Sequence, residues 1–494
     1  MVDNDKNMKY PTIVFHWIND KKVESSSNNS FEKLNPADGK VLTHVTRGNR
    51  GDVDQAVKCA GRKFDEWKST SVIYRADILR KAAQLMETKK EEIAHIVHLE
   101  TGKSIKDALA EVEGSIDLGY FYAGEGRRFY GKVTTSAVPN RTAMIIREPV
   151  GIAALIVPAN TPIANIAWKV FPALLCGNTI VLKASKDTPY TAIWFAKILK
   201  EAGLPSGVLN VVQGFGDEVG TALIVDTRIS LISFTGSVEV GRQFQEKAGP
   251  RFAKISLELG GKNPFVVCDD ADLESAANFA VLSAFSNAGQ RCASGSRIII
   301  FASIYEKFKK LMFEKTKNLK LGISDTDDLG PVINKSQLDK IIGAINKAQK
   351  EGARILIGGT RLMGSMHENG YYITPTILEN VVPDADISCQ ELFGPVTILY
   401  KVRDFNEALK LANNSLFGLT SAIHTSNIHR IQEFTNRVQS GVVSINGPTY
   451  GSESHLPFGG VKNSGNGTRE PGTEALDFYS NIKTIYTLHN PERV

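Results

Sequence analysis

The sequence has few cysteines, and their arrangement excludes several classes of protein. Five occur in 494 residues, their number is odd, and no Cys-x-x-Cys pair is present. Neither disulfides nor a zinc site, nor any other metal site, is therefore expected, and a reducing cytoplasmic compartment fits best. A buried, unreactive role is the simplest expectation for each thiol except Cys292. The cysteines are Cys59, Cys176, Cys268, Cys292 and Cys389.

Long apolar runs and a charge bias are also missing. No stretch approaches the roughly 18 apolar residues of a membrane span, and the N-terminal segment does not resemble a secretory signal. Lys and Arg exceed Asp and Glu by 58 − 53 = 5, and the excess is spread along the chain. We therefore expect neither a membrane nor a nucleic acid as a partner.

What is present is a regular alternation of predicted helices and strands. Residues 52–128 have apolar positions at three- and four-residue steps, which predicts amphipathic helices. Short apolar segments then alternate with helical ones, which predicts a parallel sheet covered by helices on both faces. The predicted strands of this series are 152–157, 179–182, 208–212, 231–234 and 264–267.

A second series of the same kind begins near Gly260. Its predicted strands are 297–301, 355–357, 396–400, 420–424 and 441–446. The segments 131–147 and 480–488 have strand character without attached helices, so they are predicted to be edge strands able to pair with another subunit. The expected fold class is α/β, with two doubly wound units, a Rossmann-like cofactor domain and a catalytic domain, plus a small β oligomerisation element. The predicted ranges are 1–128 with 149–259 for cofactor binding, 260–465 for catalysis, and 129–148 with 478–494 for oligomerisation.

Two segments contain groups suited to covalent chemistry. In NAGQRCAS at 287–294, Cys292 follows a helical run and a glycine-containing turn. A thiol becomes an effective nucleophile when its surroundings lower its pKa from about 8.5, and Arg291 is a candidate for that effect. In LELGGKNP at 257–264, Glu258 stands beside two glycines and is a candidate general base, although a solvated loop carboxylate is the alternative.

Further candidates follow the ends of predicted strands, where open α/β sheets bind ligands. Ser237 is a plausible helix N-cap after Gly236, although the glycine spacing is not that of the Rossmann motif. Asn160, between two prolines, offers an amide that can stabilise an oxyanion. Lys183 and Glu391 can reach a cofactor ribose, and each can equally be an ordinary surface charge.

Together these segments resemble the aldehyde dehydrogenase superfamily. The matching motifs occur in the family's order and at its spacing, and the resemblance runs from about residue 10 to the end. The motifs are PANTP at 158–162, VLKAS at 181–185, SFTGS at 233–237, LELGGKNP at 257–264, NAGQRCAS at 287–294, ELFGP at 391–395 and LPFGGVKNSGNG at 456–467.

The resemblance implies a role for each matching residue. Cys292 would be the nucleophile, Asn160 with the Cys292 backbone N–H would hold the oxyanion, and Glu258 would activate the deacylating water. Phe458 would line the aldehyde pocket. The residues implied in cofactor binding are Lys183, Gly236, Ser237, Glu391 and Phe393. The reaction would be NAD(P)-dependent oxidation of an aldehyde to a carboxylic acid through a thiohemiacetal and a thioester. The family commonly forms dimers or tetramers, so a homodimer or homotetramer is expected.

Two departures from the family pattern affect specificity. Many relatives carry Trp and Phe where this chain has Ala159 and Thr161, so the packing around Asn160 is expected to differ. NAD-preferring relatives often carry a Glu three residues after the cofactor lysine, and here that residue is Lys186. Because Lys186 and Ser185 can accept a 2′-phosphate that a carboxylate would repel, NADP is the expected preference and NAD the alternative.

The substrate class is predicted from two stretches. The segments at 122–126 and 454–486 look like the branch of ketoglutaric semialdehyde dehydrogenases. Arg291 and His455 would pair with the acidic tail of such a substrate, although Arg291 can also be a structural ion-pair residue. Two alternatives are a CoA-acylating enzyme, whose members generally lack the carboxylate at position 258, and a non-catalytic protein on the same fold.

Overall fold

The structure is a computed structural model that describes residues 10–364 and 367–493. Residues 1–9, 365–366 and 494, which the predicted domain ranges include, lie outside the described residues. None of the helices in the described ranges is long and apolar enough to cross a membrane.

The first part of the chain reaches to Glu258. Its strands are β1 (Ile13–Val14), β2 (His16–Ile18), β3 (Lys21–Val23), β4 (Ser30–Leu34), β5 (Val41–Thr46), β6 (Lys132–Thr134), β7 (Arg141–Pro149), β8 (Ile152–Ile156), β9 (Thr179–Lys183), β10 (Leu209–Val212), β11 (Ile229–Thr235) and β12 (Lys254–Glu258). Its α-helices are α1 (Arg50–Lys68), α2 (Val72–Thr88), α3 (Lys90–Thr101), α4 (Ile105–Glu125), α5 (Pro162–Leu175), α6 (Pro189–Glu201), α7 (Thr221–Val225) and α8 (Val238–Ala248).

The remainder of the chain repeats the alternation. Its strands are β13 (Asn263–Val267), β14 (Gly295–Phe301), β15 (Arg354–Ile357), β16 (Thr376–Glu379), β17 (Val396–Val402), β18 (Phe417–Gly418), β19 (Thr420–His424), β20 (Val442–Ile445), β21 (Val461–Lys462) and β22 (Ser480–Leu488). Its α-helices are α9 (Leu273–Phe285), α10 (Tyr305–Lys317), α11 (Lys335–Lys350), α12 (Asp386–Cys389), α13 (Phe405–Asn413), α14 (Ile428–Arg437) and α15 (Glu474–Tyr479).

The predicted helical region divides into α1 to α4 because polar caps interrupt it. The Asn49 side chain accepts from the first turn of α1, and Ser71 and Ser104 do the same for α2 and α4. Gly102, with φ of 75°, ends α3 in the left-handed conformation. Such caps satisfy backbone groups that a helix leaves unpaired at its ends, so one amphipathic pattern yields four helices.

The first large sheet has the order β12-β11-β8-β9-β10-β2-β3. The five strands from β12 to β10 are parallel, β2 pairs antiparallel with β10, and β3 pairs antiparallel with β2. Alternate side chains of β8 enter different cores: Ala153 and Leu155 pack on the side of α5 and α6, whereas Ala154 and Ile156 pack on the side of α1 and α8. The sheet is therefore buried on both faces, as predicted.

The second large sheet has the order β15-β16-β17-β14-β13-β19-β20 and is parallel except for β15. In β14, Ile298 and Ile300 pack on one face, whereas Ile299 and Phe301 pack on the other. This confirms the predicted second α/β series and, with the first sheet, the predicted α/β fold class.

The two predicted edge segments lie in one small sheet of order β22-β7-β6, and all its pairs are antiparallel. It leaves large apolar side chains in solvent, including Val133, which is 74% exposed, and Ile482, which is 66% exposed. The prediction of β structure is confirmed there, whereas its pairing with another subunit stays a prediction.

Candidate active site

A cavity of about 1090 Å³ lies where loops that follow strands of both large sheets converge. It gathers most of the predicted site residues from positions spread over almost 300 residues. The predicted residues on its wall are Asn160, Gly236, Ser237, Glu258, Arg291, Cys292, Glu391, Phe393, His455 and Phe458. Lys183, Ser185 and Lys186 are not among the residues that line it.

Cys292 follows a turn in an unusual conformation. Asn287, Ala288 and Gly289 have φ values of 53°, 52° and 66°, in the left-handed region that side chains other than glycine adopt at a cost. Gly289 is required because a Cβ there would lie 2.2 Å from the Gly394 carbonyl oxygen. Asn263 then fixes the Cys292 backbone, since its Nδ2 donates to the Cys292 carbonyl at 2.8 Å.

The Cys292 thiol is held in its neutral form. Burial raises its pKa to about 12, and the nearby carboxyls of Glu391 and Glu258 raise it as well, whereas Arg291 opposes them. Arg291 lowers the thiol pKa, as expected from the sequence, but burial and the two carboxyls outweigh it, so the net pKa is raised. The thiol therefore needs a proton acceptor before it can attack.

Asn160 is held in the loop between β8 and α5. Its Nδ2 donates to the Gln290 carbonyl at 3.0 Å, which leaves one amide hydrogen for another acceptor. Its backbone carbonyl oxygen accepts from Lys103 Nζ at 2.9 Å and from Asn287 Nδ2 at 3.2 Å. Both ends of the residue are therefore fixed, with the side chain on the cavity wall.

Glu258, the last residue of β12, is 4% exposed, and its two carboxyl oxygens are without a hydrogen-bond partner among the described residues. Gly459 allows the close approach of the opposite loop, because a Cβ there would lie 2.5 Å from Glu258 Oε1. Burial raises the pKa of Glu258 well above 4.5, and the charge of Glu470 raises it further. A carboxyl whose pKa is raised in this way is a stronger proton acceptor once it is ionised.

Glu391 and Phe393 form another part of the wall. Burial raises the pKa of Glu391 to about 7, while a hydrogen bond of 3.1 Å from the Gly261 N–H opposes the shift. Phe393 has a φ of 58°, and Gln337 Nε2 holds this strained backbone by donating to the Phe393 carbonyl at 2.9 Å. Asn287 and Phe393, which both line the cavity, therefore have left-handed backbones of the kind that functional sites often retain.

A helix N-terminus opens onto the same cavity. Ser237 caps α8, and its hydroxyl accepts from the Val240 N–H at 3.4 Å, as predicted. Gly236 and Ser237 follow the carboxyl end of β11, where the positive end of the helix dipole and free N–H groups favour an anion.

Lys183, at the end of β9, is buried, and its ammonium has no hydrogen bond to any residue of the described ranges. Burial lowers its pKa to about 8, and Lys186 lowers it further, whereas Asp187 opposes the shift. Lys186 Nζ lies 5.5 Å from the centroid of the Phe215 ring. Lys33 of β4 belongs to the same charged cluster, since Asp187 and Lys186 both influence its lowered pKa of about 8.

These features fit a dinucleotide. A helix N-terminus suits its phosphates, a buried ammonium without a protein acceptor suits an anionic or hydroxyl ligand, and a buried carboxyl can accept ribose hydroxyls. The helix N-terminus and the ammonium lie at the ends of β11 and β9, and the carboxyl is that of Glu391 in a loop on the cavity wall.

Aromatic and cationic side chains form the opposite end of the cavity. The Arg291 guanidinium lies 4.5 Å from the Tyr450 ring centroid, and its Nε donates to Ser286 Oγ at 3.1 Å. Arg291 forms no ion pair within the part of the chain that is described. His455 Nδ1 lies 3.8 Å from Glu453 Oε2, and both side chains are exposed.

Phe458 packs edge-on against Trp168, with ring centroids 5.6 Å apart. Sequence reasoning missed Trp168 and Tyr450. Trp168 lies within the apolar pattern of α5, so its sequence context predicted a core residue. Tyr450 has no distinguishing neighbour in the sequence.

Parallel sheets whose strand ends surround a cavity with a thiol and a dinucleotide-compatible helix terminus are typical of nicotinamide-dependent oxidoreductases. A family model described as the aldehyde dehydrogenase family matches residues 22–485. The chain belongs to this family and is an NAD(P)-dependent, non-acylating aldehyde dehydrogenase, as predicted.

Individual relatives support the same conclusion. The chain is 40% identical over 474 residues to the alpha-ketoglutaric semialdehyde dehydrogenase of Bacillus subtilis, covering 95% of this chain and 97% of that one. It is 40% identical to the 2,5-dioxopentanoate dehydrogenase of Saccharolobus solfataricus, covering 96% and 99%. A crystal structure of betaine aldehyde dehydrogenase from Staphylococcus aureus in complex with NAD+ superposes with a TM-score of 0.94 at 33% identity, covering 97% and 95%.

Proposed function

We propose that this enzyme oxidises a short semialdehyde that carries a carboxylate at its other end. The main support for this proposal is that the Arg291 guanidinium lines the cavity beside Cys292 and has no carboxylate partner in the described ranges. Tyr450 and Ser286 hold it there, so its remaining N–H groups are available to an anion. The names of the two 40% identical relatives agree with this substrate class. His455 would contribute at the rim, in competition with Glu453.

Cys292 is the proposed nucleophile. Its sulfur attacks the aldehyde carbon, and the thiol proton passes directly to water or to Glu258, which releases it to solvent before the second half of the reaction. The oxygen that becomes negative accepts from the free Asn160 amide hydrogen and from the Cys292 backbone N–H. Such donors contribute on the order of 3–4 kcal/mol to lowering a barrier of this type. When bound, the nicotinamide ring accepts the hydride that leaves the substrate carbon.

Glu258 is the proposed base for release of the product. Its orphaned oxygens have no partner among the described residues, and the carboxylate deprotonates the water that attacks the thioester. The carbon–sulfur bond then breaks, the carboxylic acid leaves, and the proton that Glu258 took from the water passes to the Cys292 sulfur. Positioned bases of this kind contribute about 10²–10⁴-fold to a rate.

We propose that Ser237 and Gly236 bind the dinucleotide's pyrophosphate, that Lys183 and Glu391 bind its riboses, and that Phe393 packs near the nicotinamide ribose. NADP is the proposed preference. Lys186 lies near Lys183 and Lys33, so a 2′-phosphate would enter a cluster of ammonium groups. Asp187, Glu100 and Asp217 offset part of that positive charge. Ser185 Oγ, which accepts from the Asp187 N–H at 3.2 Å, can also donate to a phosphate oxygen.

We assign cofactor binding to residues 1–128 and 149–259 and catalysis to residues 260–465. The reason is that strand pairing passes from one large sheet to the other between Glu258 and Asn263.

The exposed apolar side chains of β6, β7 and β22 support a homodimer or homotetramer formed through residues 129–148 and 478–494. Five free thiols fit a reducing compartment such as the cytoplasm.

A panel of aldehydes tests the proposed substrate class. Initial rates of cofactor reduction are measured with ketoglutaric semialdehyde, succinic semialdehyde, glycolaldehyde and benzaldehyde, each with NAD and with NADP. The proposal predicts the highest kcat/KM for the two acidic semialdehydes, and fastest turnover of benzaldehyde would contradict it.

A further inference from the structure

A buried ion pair between two residues that were not predicted as site residues contacts the loop that carries Asn160. Lys103 Nζ and Glu111 Oε2 are 2.6 Å apart, and each side chain is 5% exposed. Lys103 lies between α3 and α4, and Glu111 lies in α4. Surface ion pairs contribute little, but a buried charge must be satisfied on all sides, so the other partners of these two groups are informative.

Glu111 caps the helix that follows Asn160. Its Oε1 accepts from the Ile163 N–H at 2.9 Å and from the Ala164 N–H at 3.3 Å, both in the first turn of α5. The residue at the usual capping position, Thr161, makes no side-chain cap and instead accepts from Asn165. A carboxylate from a neighbouring helix therefore satisfies the donors and favours the positive end of the α5 dipole.

Lys103 extends this restraint to Asn160 itself. Its Nζ donates to the Asn160 carbonyl oxygen at 2.9 Å while it also binds Glu111. The Asn160 side chain is held at its other end by the Gln290 carbonyl, two residues before Cys292. Gln290 Oε1 in turn accepts from the Ile333 N–H at 2.9 Å.

A second set of contacts connects Gln290 back to Lys103 through residues 330–333. Gly330 packs on the backbone of Gly102, because a Cβ at Gly330 would lie 2.1 Å from the Gly102 carbonyl oxygen. Lys103 is thus attached on one side to the segment that binds Gln290 and on the other to Asn160. Rotation of the 158–162 loop would have to break the ion pair or leave a buried ammonium unpaired, which is costly.

We infer that Lys103 and Glu111 are positioning residues that aim the free Asn160 amide hydrogen at the oxyanion formed on Cys292. This inference rests on the proposed role of Asn160. Neither group exchanges a proton with the substrate. Their effect on the reaction passes through the orientation of one amide, so it must disappear when that amide is removed.

A double-mutant cycle between Lys103→Met and Asn160→Ala tests the inference. The first-turnover rate of cofactor reduction is measured for the unchanged enzyme, both single variants and the double variant. Lys103→Met is expected to slow the first turnover about tenfold with little change in KM, and to slow the Asn160→Ala enzyme by less than about threefold. Lys103→Arg, which keeps two donors, is expected to restore most of the rate.

Glu113→Gln is the matched control, because Glu113 lies on the same helix and pairs with Lys90 at the surface. Its first-turnover rate is expected to equal that of the unchanged enzyme. Glu111→Gln in the same cycle is the second variant if Lys103→Met does not fold, and unfolding temperatures identify that case.

The outcomes distinguish failure of the positioning role of Lys103 and Glu111 from failure of the oxyanion role of Asn160. Equal slowing by Lys103→Met in both backgrounds would show an effect independent of Asn160 and overturn the inference, and so would no slowing in either. A normal first turnover in Asn160→Ala alone would instead overturn the proposed oxyanion role, on which the inference depends.

Discussion

Asn160 donates its side-chain amide to the Gln290 carbonyl at 3.0 Å, although 130 residues separate them in the chain. This bond joins the loop after β8, from the first sheet, to the turn that presents Cys292 in the second. The proposed oxyanion donor and nucleophile therefore share one rigid unit, and preorganised donors of this kind lower a barrier without reorganising during the reaction.

Replacing Glu258 with Gln is expected to separate the two halves of the reaction. The amide cannot accept a proton, so water must take the thiol proton in the first turnover. One equivalent of cofactor should still be reduced, and the steady-state turnover that follows should be slowed about 10²–10⁴-fold. Stopped-flow absorbance of the reduced nicotinamide measures both phases. Glu113→Gln, which changes a surface carboxylate paired with Lys90, is the control. A normal steady-state rate in Glu258→Gln would refute the assigned role.

The pH dependence of the first turnover follows from two raised pKa values. Because the Cys292 pKa is about 12 and that of Glu258 lies well above 4.5, both groups hold their protons at lower pH. Raising the pH deprotonates Glu258, which allows it to take the thiol proton, and also increases the thiolate fraction. The rate should therefore increase with pH on the alkaline side of neutrality, below the Cys292 pKa of about 12. A rate that falls across this range, with the protein still folded, would be inconsistent with a neutral resting thiol.

Lys186→Glu is expected to reverse the cofactor preference. A carboxylate would repel the 2′-phosphate and accept ribose hydroxyls, so the ratio of kcat/KM for NADP to that for NAD should fall at least about tenfold. Lys200→Glu makes the same charge change at the end of α6, where Lys200 lies over Trp17. That variant should keep the original ratio. If the unchanged enzyme strongly prefers NAD, the proposed role of Lys186 is wrong.

Arg291→Met is expected to discriminate between substrates by charge. Loss of the guanidinium removes a charge-assisted contact, so KM for succinic semialdehyde should increase about tenfold or more, whereas KM for glycolaldehyde should change little. Comparing the two aldehydes in one variant controls for any effect on the neighbouring Cys292. Equal losses for both would indicate a structural role for Arg291.

Most strands of the two large sheets were predictable because short apolar segments mark them, but β2, β3 and β16 were not predicted. The motifs at strand ends indicated the proposed active-site residues, since parallel strands present their carboxyl ends together. The order of strands across each sheet was not predictable, because it depends on long-range pairing.

Contacts between distant segments account for what the sequence did not reveal. Lys103 and Glu111 read as ordinary charges of a helical region, and only their burial against the Asn160 loop distinguishes them. The raised pKa of the Cys292 thiol was also missed, because desolvation depends on the residues that pack around it in the fold rather than on the adjacent arginine.

The most direct test of the account is the mass of the enzyme quenched in acid during turnover. Glu258→Gln is mixed with cofactor and succinic semialdehyde, quenched, digested and examined by mass spectrometry. The account predicts an acyl group on the peptide that contains Cys292, and none when Cys292→Ala is added to the same variant. An acyl group on another residue, or a burst of reduced cofactor without any adduct, would contradict it.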